Sequence, residues 1–140
     1  MQDLFVTTKH QRKIIPSIIS EIKTAIRLNN YIVIVYMPDC GDILPEILNI
    51  IHSYNKTIFV SKYDQDGGTE VLTALKRKNH LKFCGIYTSQ CVHDTVQTIA
   101  ESYPKNFRIE LLENACGDQD PVRNLNGIRS LAMCKRISII

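Results

Sequence analysis

The sequence predicts an α/β fold with a mostly parallel sheet. Apolar runs rich in β-branched and aromatic residues alternate with segments whose apolar residues recur every three or four positions. One of the runs, Tyr31–Met37, is apolar on both faces, which is typical of a strand covered by helices on each side. The short connections favour parallel strands joined by right-handed crossovers.

The first half of the chain is predicted to form two helix–strand units. After a polar start, apolar residues at helical spacing begin at Ile14, and Pro16 suits the first turn of a helix. Asn29 and Asn30 are plausible residues for the end of this helix. The elements that follow are the strand Tyr31–Met37, the loop Pro38–Asp42, the helix Ile43–Tyr54 and the strand Thr57–Val60.

The second half continues the alternation. Residues 61–68 are polar and predict a loop, and Thr69 is a candidate N-cap for the helix after it. The later elements are the strand Phe83–Tyr87, a helix from Cys91, the strand Phe107–Leu112, the loop Glu113–Asp120, the helix Pro121–Cys134 and the strand Arg136–Ile140.

Length and composition favour one ordinary globular domain, residues 1–140. Hydrophobic residues make up 44% of the 140 residues, and the formal net charge is +3. The basic residues are scattered, with small clusters such as residues 76–78 that lack interleaved aromatics, so no nucleic-acid partner is expected. The sequence shows neither a signal peptide nor a membrane span, so a membrane partner is not expected either.

The cysteines indicate the compartment and argue against a metal. There are five, at positions 40, 84, 91, 116 and 134, without a CxxC pair or a Cys/His set at zinc spacing. An odd number of unpaired thiols fits a reduced cytoplasm. We therefore expect a cytoplasmic protein with no metal and no cofactor.

The stretch Leu81–Ala100 carries the strongest chemical signal. It predicts a strand, a tight turn and a helix whose first residue is Cys91. The first turn of a helix leaves N–H groups unpaired, and a thiol placed there is more often a thiolate. The same amides can hold an oxyanion. On position alone, however, a small buried hydrophobe is the commoner role of a free cysteine.

Lys62 is the second candidate. It follows the strand Thr57–Val60, as Cys91 follows the strand Phe83–Tyr87. Ligands in parallel α/β sheets bind at the carboxyl ends of the strands. The order of the elements therefore places Lys62 and Cys91 at one crevice.

These residues resemble a known family. Residues 85–95, GIYTSQCVHDT, resemble the nucleophile motif of the isochorismatase-like cysteine hydrolases, G-[small apolar]-x-[TA]-x-x-C-V-x-x-T. Residues 59–62, FVSK, followed by Gly68, Thr69 and Leu72, resemble the lysine segment of that family. The similarity extends over nearly the whole chain.

The resemblance implies a fold, a reaction and a set of roles. The fold would be a three-layer sandwich with a mostly parallel, Rossmann-like central sheet, and the family uses an Asp–Lys–Cys triad. Cys91 would be the nucleophile and Lys62 would hold the substrate. The backbone amides of Tyr87 and Cys91 would form the oxyanion hole, with a cis peptide bond between Ile86 and Tyr87. The reaction would be hydrolysis of a small-molecule C–N bond, amide or ureide, through a thioester on Cys91.

The chain departs from the family at its start. Residues 1–5 resemble the segment that follows the catalytic Asp, but that Asp and its strand are not in the sequence. In the family this strand lies between those matching Tyr31–Met37 and Phe83–Tyr87. The start could be internal to a longer protein, another segment or copy could fill the gap, or the chain could have lost activity. Asp3 and Asp39 are weak substitutes for the missing carboxylate.

The positions of the histidines distinguish this chain from the zinc-dependent nicotinamidases of the family. The loop Pro38–Asp42 contains no histidine, and the four histidines are scattered and predicted to lie on the surface. On a helix, His93 would point away from Cys91. The alternative to a hydrolase is a non-catalytic binding or assembly module, and a homo-oligomer is compatible with either function.

Overall fold

The computed structural model describes residues 1–75, 79–102 and 107–140, and the basic cluster at residues 76–78 lies outside them. A 3₁₀-helix, Asp3–Phe5, precedes the regular elements. The helices are α1 (Lys9–Lys13), α2 (Ile15–Arg27), α3 (Pro45–Ile51), α4 (Gly68–Leu75), α5 (Cys91–Ser102) and α6 (Pro121–Ala132). The strands are β1 (Ile32–Tyr36), β2 (Thr57–Ser61), β3 (His80–Ile86), β4 (Arg108–Gly117) and β5 (Ile137–Ile139).

The helices form where apolar residues recur on one face. In α2, Ile15, Ile18 and Ile22 are buried, Pro16 lies in the first turn, and the chain leaves the helix through Asn29 at a φ of 57°. Within the described residues, no helix combines the length and apolar character needed to cross a membrane.

In the part of the chain that the structure describes, the strands pair in parallel and form two sheets. The strand β1 pairs with β2, and β3 pairs with β4, which pairs with β5. The predicted parallel α/β architecture is confirmed. The sheet is nevertheless divided between β1 and β3, at the position where the resemblance places the strand that this sequence lacks.

Helices cover both faces of the strands and give three layers. One apolar cluster joins α2 and α3 to Ile32 and Ile34 of β1, and it continues to Ile86 of β3. A second cluster joins α4, α5 and α6 to β4, and Val33 and Val35 pack against it. Successive residues of β1 thus face opposite layers, as the unbroken apolar run predicts.

Several element boundaries differ from the prediction, and the differences at β4, α3 and α4 change how a segment is classified. The strand β4 continues to Gly117, so most of the expected loop Glu113–Asp120 is strand, with a register shift opposite Phe83 and Gly85. Its buried residues Ala115 and Cys116 explain the extension. The helix α3 is shorter than predicted, and α4 begins at Gly68, so Thr69 is not its N-cap.

Candidate active site

A sharp turn carries the chain from β3 into α5 and places Cys91 at the first helical position. Tyr87 has a φ of 60°, in the left-handed region. Its carbonyl accepts hydrogen bonds from the N–H groups of Gln90 at 2.9 Å and Val92 at 3.2 Å. Cys91 is half-buried. The prediction that a helix begins at Cys91 is confirmed.

The expected cis peptide bond between Ile86 and Tyr87 is wrong. This bond is trans, as are the other peptide bonds of the described residues. The left-handed conformation of Tyr87 reverses the chain instead, so the turn is made without a cis bond. The Tyr87 ring packs edge-on against Phe5, with ring centroids 5.6 Å apart.

Buried polar groups support this turn from β4 and α6. The Thr88 hydroxyl, fully buried, donates to the carbonyl of Gly117 at 3.0 Å. The carboxylate of Asp118 accepts hydrogen bonds from the N–H and the Oγ of Ser89, each at 2.8 Å. Gly127 of α6 packs directly on the backbone of Thr88 and Ser89. These supports were not predicted from the sequence, in which the one available signal was that Asp118 follows a strand.

Lys62 is held in the interior just past β2. Its N–H donates to the carbonyl of Tyr36 at 2.9 Å, which continues the β1–β2 ladder. Lys62 is 5% exposed, and its side chain passes Gly67, where an added Cβ would come 2.9 Å from the Lys62 Cδ. The ammonium donates to the carbonyl of Gln65. A lysine this deeply buried is uncommon.

The loop after Lys62 is fastened to one face of α5. The Gly67 N–H donates to the Thr95 Oγ1 at 3.0 Å, and the Thr98 Oγ1 donates to the Asp66 carboxylate at 2.7 Å. Cys91 precedes Thr95 by one helical turn, on the same face. The loop contacts therefore bring Lys62 to the side of the helix that carries Cys91.

Lys62 and Cys91 line the same cavity, of about 730 Å³, together with Thr95. The cavity lies between β1 and β3, and its walls are mostly apolar. Glu21 is the acidic residue among those that line it.

The two substitute carboxylates do not reach this cavity. Asp3 is exposed, and its carboxylate accepts a hydrogen bond from the Leu4 N–H at 2.7 Å. Asp39 is also exposed, and neither residue lines the cavity. Among the described residues, no carboxylate forms an ion pair with Lys62.

Two other thiols are held in the neutral form. Burial raises the pKa of Cys84 to about 11. Burial also raises the pKa of Cys116, which is 1% exposed. A thiol with a raised pKa is a poor nucleophile, so neither is a candidate for chemistry.

The histidines do not assemble around Cys91. The His93 ring lies on the side of α5 that faces α6. Its Nδ1 is 3.1 Å from the Asp94 Oδ1, and its Nε2 is 2.9 Å from the Ser130 Oγ. His52 and His80 are exposed as expected, whereas His10 and His93 are half-buried. In the part of the chain that the structure describes, no three His, Cys, Asp or Glu side chains are grouped to hold a metal ion. The side chains present therefore do not fit a zinc site.

Comparison with known proteins identifies the fold. No family model matches the sequence, and no curated protein matches it. The MAR1 ribonuclease of Caenorhabditis elegans is 17% identical, with a TM-score of 0.84 over 99% of this chain and 71% of that one. An isochorismatase-like hydrolase of Alkaliphilus metalliredigens is 14% identical, with a TM-score of 0.76 over 99% and 90%.

A zinc-bound pyrazinamidase of Pyrococcus horikoshii is 18% identical, with a TM-score of 0.77 over 100% of this chain and 94% of that one. Sequence identities this low support an inference about the fold alone. The architecture agrees with the one that the motifs around Lys62 and Cys91 implied. This chain has the α/β fold of the isochorismatase-like hydrolases.

Proposed function

We propose that the protein is a cysteine hydrolase that cleaves a C–N bond of a small amide or ureide through a thioester on Cys91. One observation supports this most directly: a half-buried thiol at the start of α5 and the buried ammonium of Lys62 line the same cavity. A nucleophile and a fixed cation that line one cavity are suited to attack on a carbonyl.

The start of α5 offers groups for the oxyanion. The N–H groups of Tyr87 and Cys91 donate to no backbone acceptor among the described residues. The Tyr87 carbonyl is turned toward Gln90 and Val92, whose N–H groups it accepts. Amides that are free at the start of the helix carrying the thiol can bind the oxygen that becomes negative when the thiolate attacks.

Lys62 supplies positive charge to the same cavity. Its ammonium has the Gln65 carbonyl as a partner and no carboxylate among the described residues. It can therefore exchange that carbonyl for a polar oxygen of the substrate.

The reaction then proceeds in two balanced steps. The Cys91 sulfur bonds to the carbonyl carbon, the C–N bond breaks, and the nitrogen leaves as ammonia or amine with the thiol proton. Water next attacks the thioester, releases the carboxylic acid and returns the proton to the sulfur.

The test is release of ammonia from nicotinamide, pyrazinamide and an N-carbamoyl amino acid. Structural neighbours named nicotinamidase and pyrazinamidase make the first two the natural starting substrates. Cys91→Ala should abolish release, and Cys134→Ala, a half-buried cysteine outside the cavity, should leave it unchanged. Unaltered release by Cys91→Ala would exclude the mechanism.

A non-catalytic binding module is the second candidate function. It is favoured by the lack of a described carboxylate beside Lys62 and by the divided sheet. Under this hypothesis the wild-type chain releases no ammonia from any of the three substrates and still binds a small molecule in a manner that depends on Lys62. Turnover that depends on Cys91 would exclude it.

A further inference from the structure

The outer edge of β2 is open. The strand β1 pairs with one edge of β2, and none of the strands that the structure describes pairs with the other. The Ile32 N–H donates to the Lys56 carbonyl, so the even-numbered residues from Lys56 onward pair with β1. Backbone groups of a parallel strand alternate between its two edges. The N–H and C=O groups of Thr57, Phe59 and Ser61 therefore point outward.

Most of these outward groups lack a backbone partner. The Thr57 N–H donates to the Tyr54 carbonyl at 3.2 Å, in the turn that precedes β2. The described backbone provides no such partner for the carbonyl of Thr57 or for either group of Phe59 and Ser61. The outer edge thus offers both donors and acceptors to a further strand.

The edge also lacks the features by which monomeric proteins prevent their edge strands from pairing. Residues 57–61, TIFVS, contain no charged residue, no proline and no glycine. Their pairing with β1 runs from Thr57 to Ser61 without a bulge. Lysines, prolines and bulges are the usual protection of such edges. The outer edge of β2 is therefore a regular template for strand addition.

Phe59 gives this edge an exposed apolar side chain. The residue is 51% exposed and pairs in register with Ile34, so its side chain points toward the layer that contains α3. Together with Leu48, Ile51 and Tyr54, it lines a groove of about 550 Å³. A strand added to β2 would cover the ring, and the burial of its apolar surface favours that addition.

The sequence of β2 identifies a second copy of the same strand as the one that fits. Reversal of the strand about Phe59 places Thr57 opposite Ser61 and Ile58 opposite Val60. Each hydroxyl residue then faces a hydroxyl residue, each β-branched apolar residue faces another, and the aromatic ring faces itself. Such pairs stabilise antiparallel strands. A surface that is complementary to itself is what a two-fold dimer requires.

The same register aligns the free backbone groups. Phe59 lies opposite Phe59 of the second copy, and the two residues exchange both of their N–H···O=C bonds, as opposite residues do at alternate positions of an antiparallel pair. The Ser61 N–H of each copy faces the Thr57 carbonyl of the other. The register that matches the side chains is therefore also the one that pairs the outward backbone groups.

The charges that flank β2 do not oppose this register. It places Lys56 of one copy opposite Lys62 of the other. The Lys56 ammonium donates to the Asn29 carbonyl at 2.9 Å, and the ammonium of the buried Lys62 donates to the Gln65 carbonyl. Both ammonium groups are thus directed toward their own chain and away from the second copy.

We propose that β2 pairs with β2 of a second copy of this chain, antiparallel and centred on Phe59, and forms a two-fold dimer. The dimer has one continuous sheet made of β1 and β2 from each copy, by strand addition at the two edges. The Phe59 rings contact each other on the face that carries α3. A strand of five residues makes a small interface, so the dimer is reversible and its fraction rises with protein concentration.

Sedimentation velocity over a series of protein concentrations tests the proposal. Phe59→Lys places two ammonium groups opposite each other at the two-fold axis and removes the aromatic pair, so dimerisation should weaken by at least roughly tenfold. Tyr63→Lys is the matched control, because it makes the same change at an aromatic residue that is 77% exposed and lies past the end of β2. This control should dimerise as the wild type does.

A mixing experiment separates a lost contact from a lost fold. Phe59→Glu alone should also be monomeric, whereas an equimolar mixture of Phe59→Lys and Phe59→Glu should form dimers, because pairing centred on position 59 brings the opposite charges together. Amide hydrogen exchange locates the interface. The Phe59 and Ser61 amides should be protected in the dimer alone, and the Val60 amide, which faces β1, should be protected in both forms.

Several results would overturn the proposal. They are a wild-type chain that stays monomeric up to about 1 mM, the weak end of the usual range of affinities, dimerisation of Phe59→Lys equal to that of the wild type, or a mixture of the two charged variants that remains monomeric. Dimerisation that leaves the Phe59 and Ser61 amides exchanging freely would place the interface elsewhere and would also overturn it.

Discussion

Asp118 binds Ser89 through two hydrogen bonds of 2.8 Å, from the N–H and the Oγ of Ser89 to the same carboxylate oxygen. The other carboxylate oxygen accepts from the Gln119 N–H at 2.8 Å. Asp118 is fully buried, and Ser89 lies two residues before Cys91. The carboxylate therefore fixes the turn that starts α5, and with it the position of the thiol.

Asp118→Asn should destabilise the protein. An asparagine amide cannot accept on both sides, so at least one donor to this buried side chain loses its partner, at a cost of about 2 kcal/mol. Urea unfolding measures the effect. Ser89→Ala is the matched control, because it removes the Oγ bond alone and should cost about half as much. Equal losses in the two variants would show that the N–H bond contributes nothing.

Gly127→Ala should destabilise the protein although alanine is the better helix former. An added Cβ would come 2.7 Å from the carbonyl carbon and oxygen of Thr88, which are backbone atoms with little freedom to move. Overpacking of this kind costs about 1–3 kcal/mol and outweighs the gain of about 1 kcal/mol in helix propensity. Asn126→Ala, at the exposed neighbouring position, should be neutral or stabilising. Thermal unfolding distinguishes the two, and a stabilised Gly127→Ala would contradict the packing.

The sequence was sufficient for features encoded by local patterns. The alternation of apolar runs predicted every strand, and the apolar spacing after Cys91 predicted the helix that it starts. The order of strands placed Lys62 and Cys91 at one cavity. These features follow from periodicity and from the polarity of parallel sheets, both of which can be read over short stretches.

Features that depend on distant partners could not be read in this way. The carboxylate of Asp118 is buried with hydrogen bonds from Ser89, a residue 29 positions away in the sequence. Glu113 and Asn114 are polar and suggested a loop, but the register shift lets β4 continue past them to the buried Ala115. The turn at Tyr87 was expected to need a cis bond, whereas the left-handed region supplies the reversal. Tertiary contacts decide all three.

The protein should lose stability in acid when the carboxylate of Glu110 becomes protonated. Glu110 is 4% exposed, and its carboxylate contacts the Arg108 Nη2 at 2.5 Å and the His80 Nε2 at 3.1 Å. Burial acts to raise the pKa of Glu110, but the hydrogen bond from His80 and the nearby positive charges outweigh it, so the pKa is lowered. The contribution to stability is therefore present above the ordinary pKa of 4.5 and is lost as the pH falls through the lowered value.

Denaturant unfolding from about pH 6 to about pH 3 tests this dependence. Glu110→Gln should be less stable than the wild type by about 2 kcal/mol at pH 6, and the difference should shrink toward pH 3. Glu113→Gln, which alters an exposed carboxylate of the same strand, is the control and should change little. A difference between wild type and Glu110→Gln that is independent of pH would contradict the assignment.

Cys91 should be the thiol most rapidly alkylated by iodoacetamide at pH 8. Cys84, with a pKa of about 11, has roughly one thiolate in a thousand molecules at that pH, and Cys116 is fully buried. Peptide mapping by mass spectrometry after timed quenching ranks the sites. Cys134, half-buried and outside the cavity, is the internal reference. Alkylation of Cys91 no faster than that of Cys134 would remove the support for a catalytic thiol.

Lys62→Met should abolish turnover while leaving the fold as stable as before, or more so. Methionine fills a similar volume. It also removes an ammonium that is buried without a carboxylate partner among the described residues, and burying such a charge lowers the free energy of unfolding. Lys135→Met is the control, because Lys135 is exposed and does not line the cavity. We expect this control to keep its turnover and its stability, since surface substitutions usually change stability by less than about 0.5 kcal/mol.

Thermal unfolding and the ammonia assay are measured on both variants. Retained turnover in Lys62→Met, or a loss of stability larger than that of Lys135→Met, would indicate that the buried ammonium serves the packing of residues 62–68 rather than a substrate.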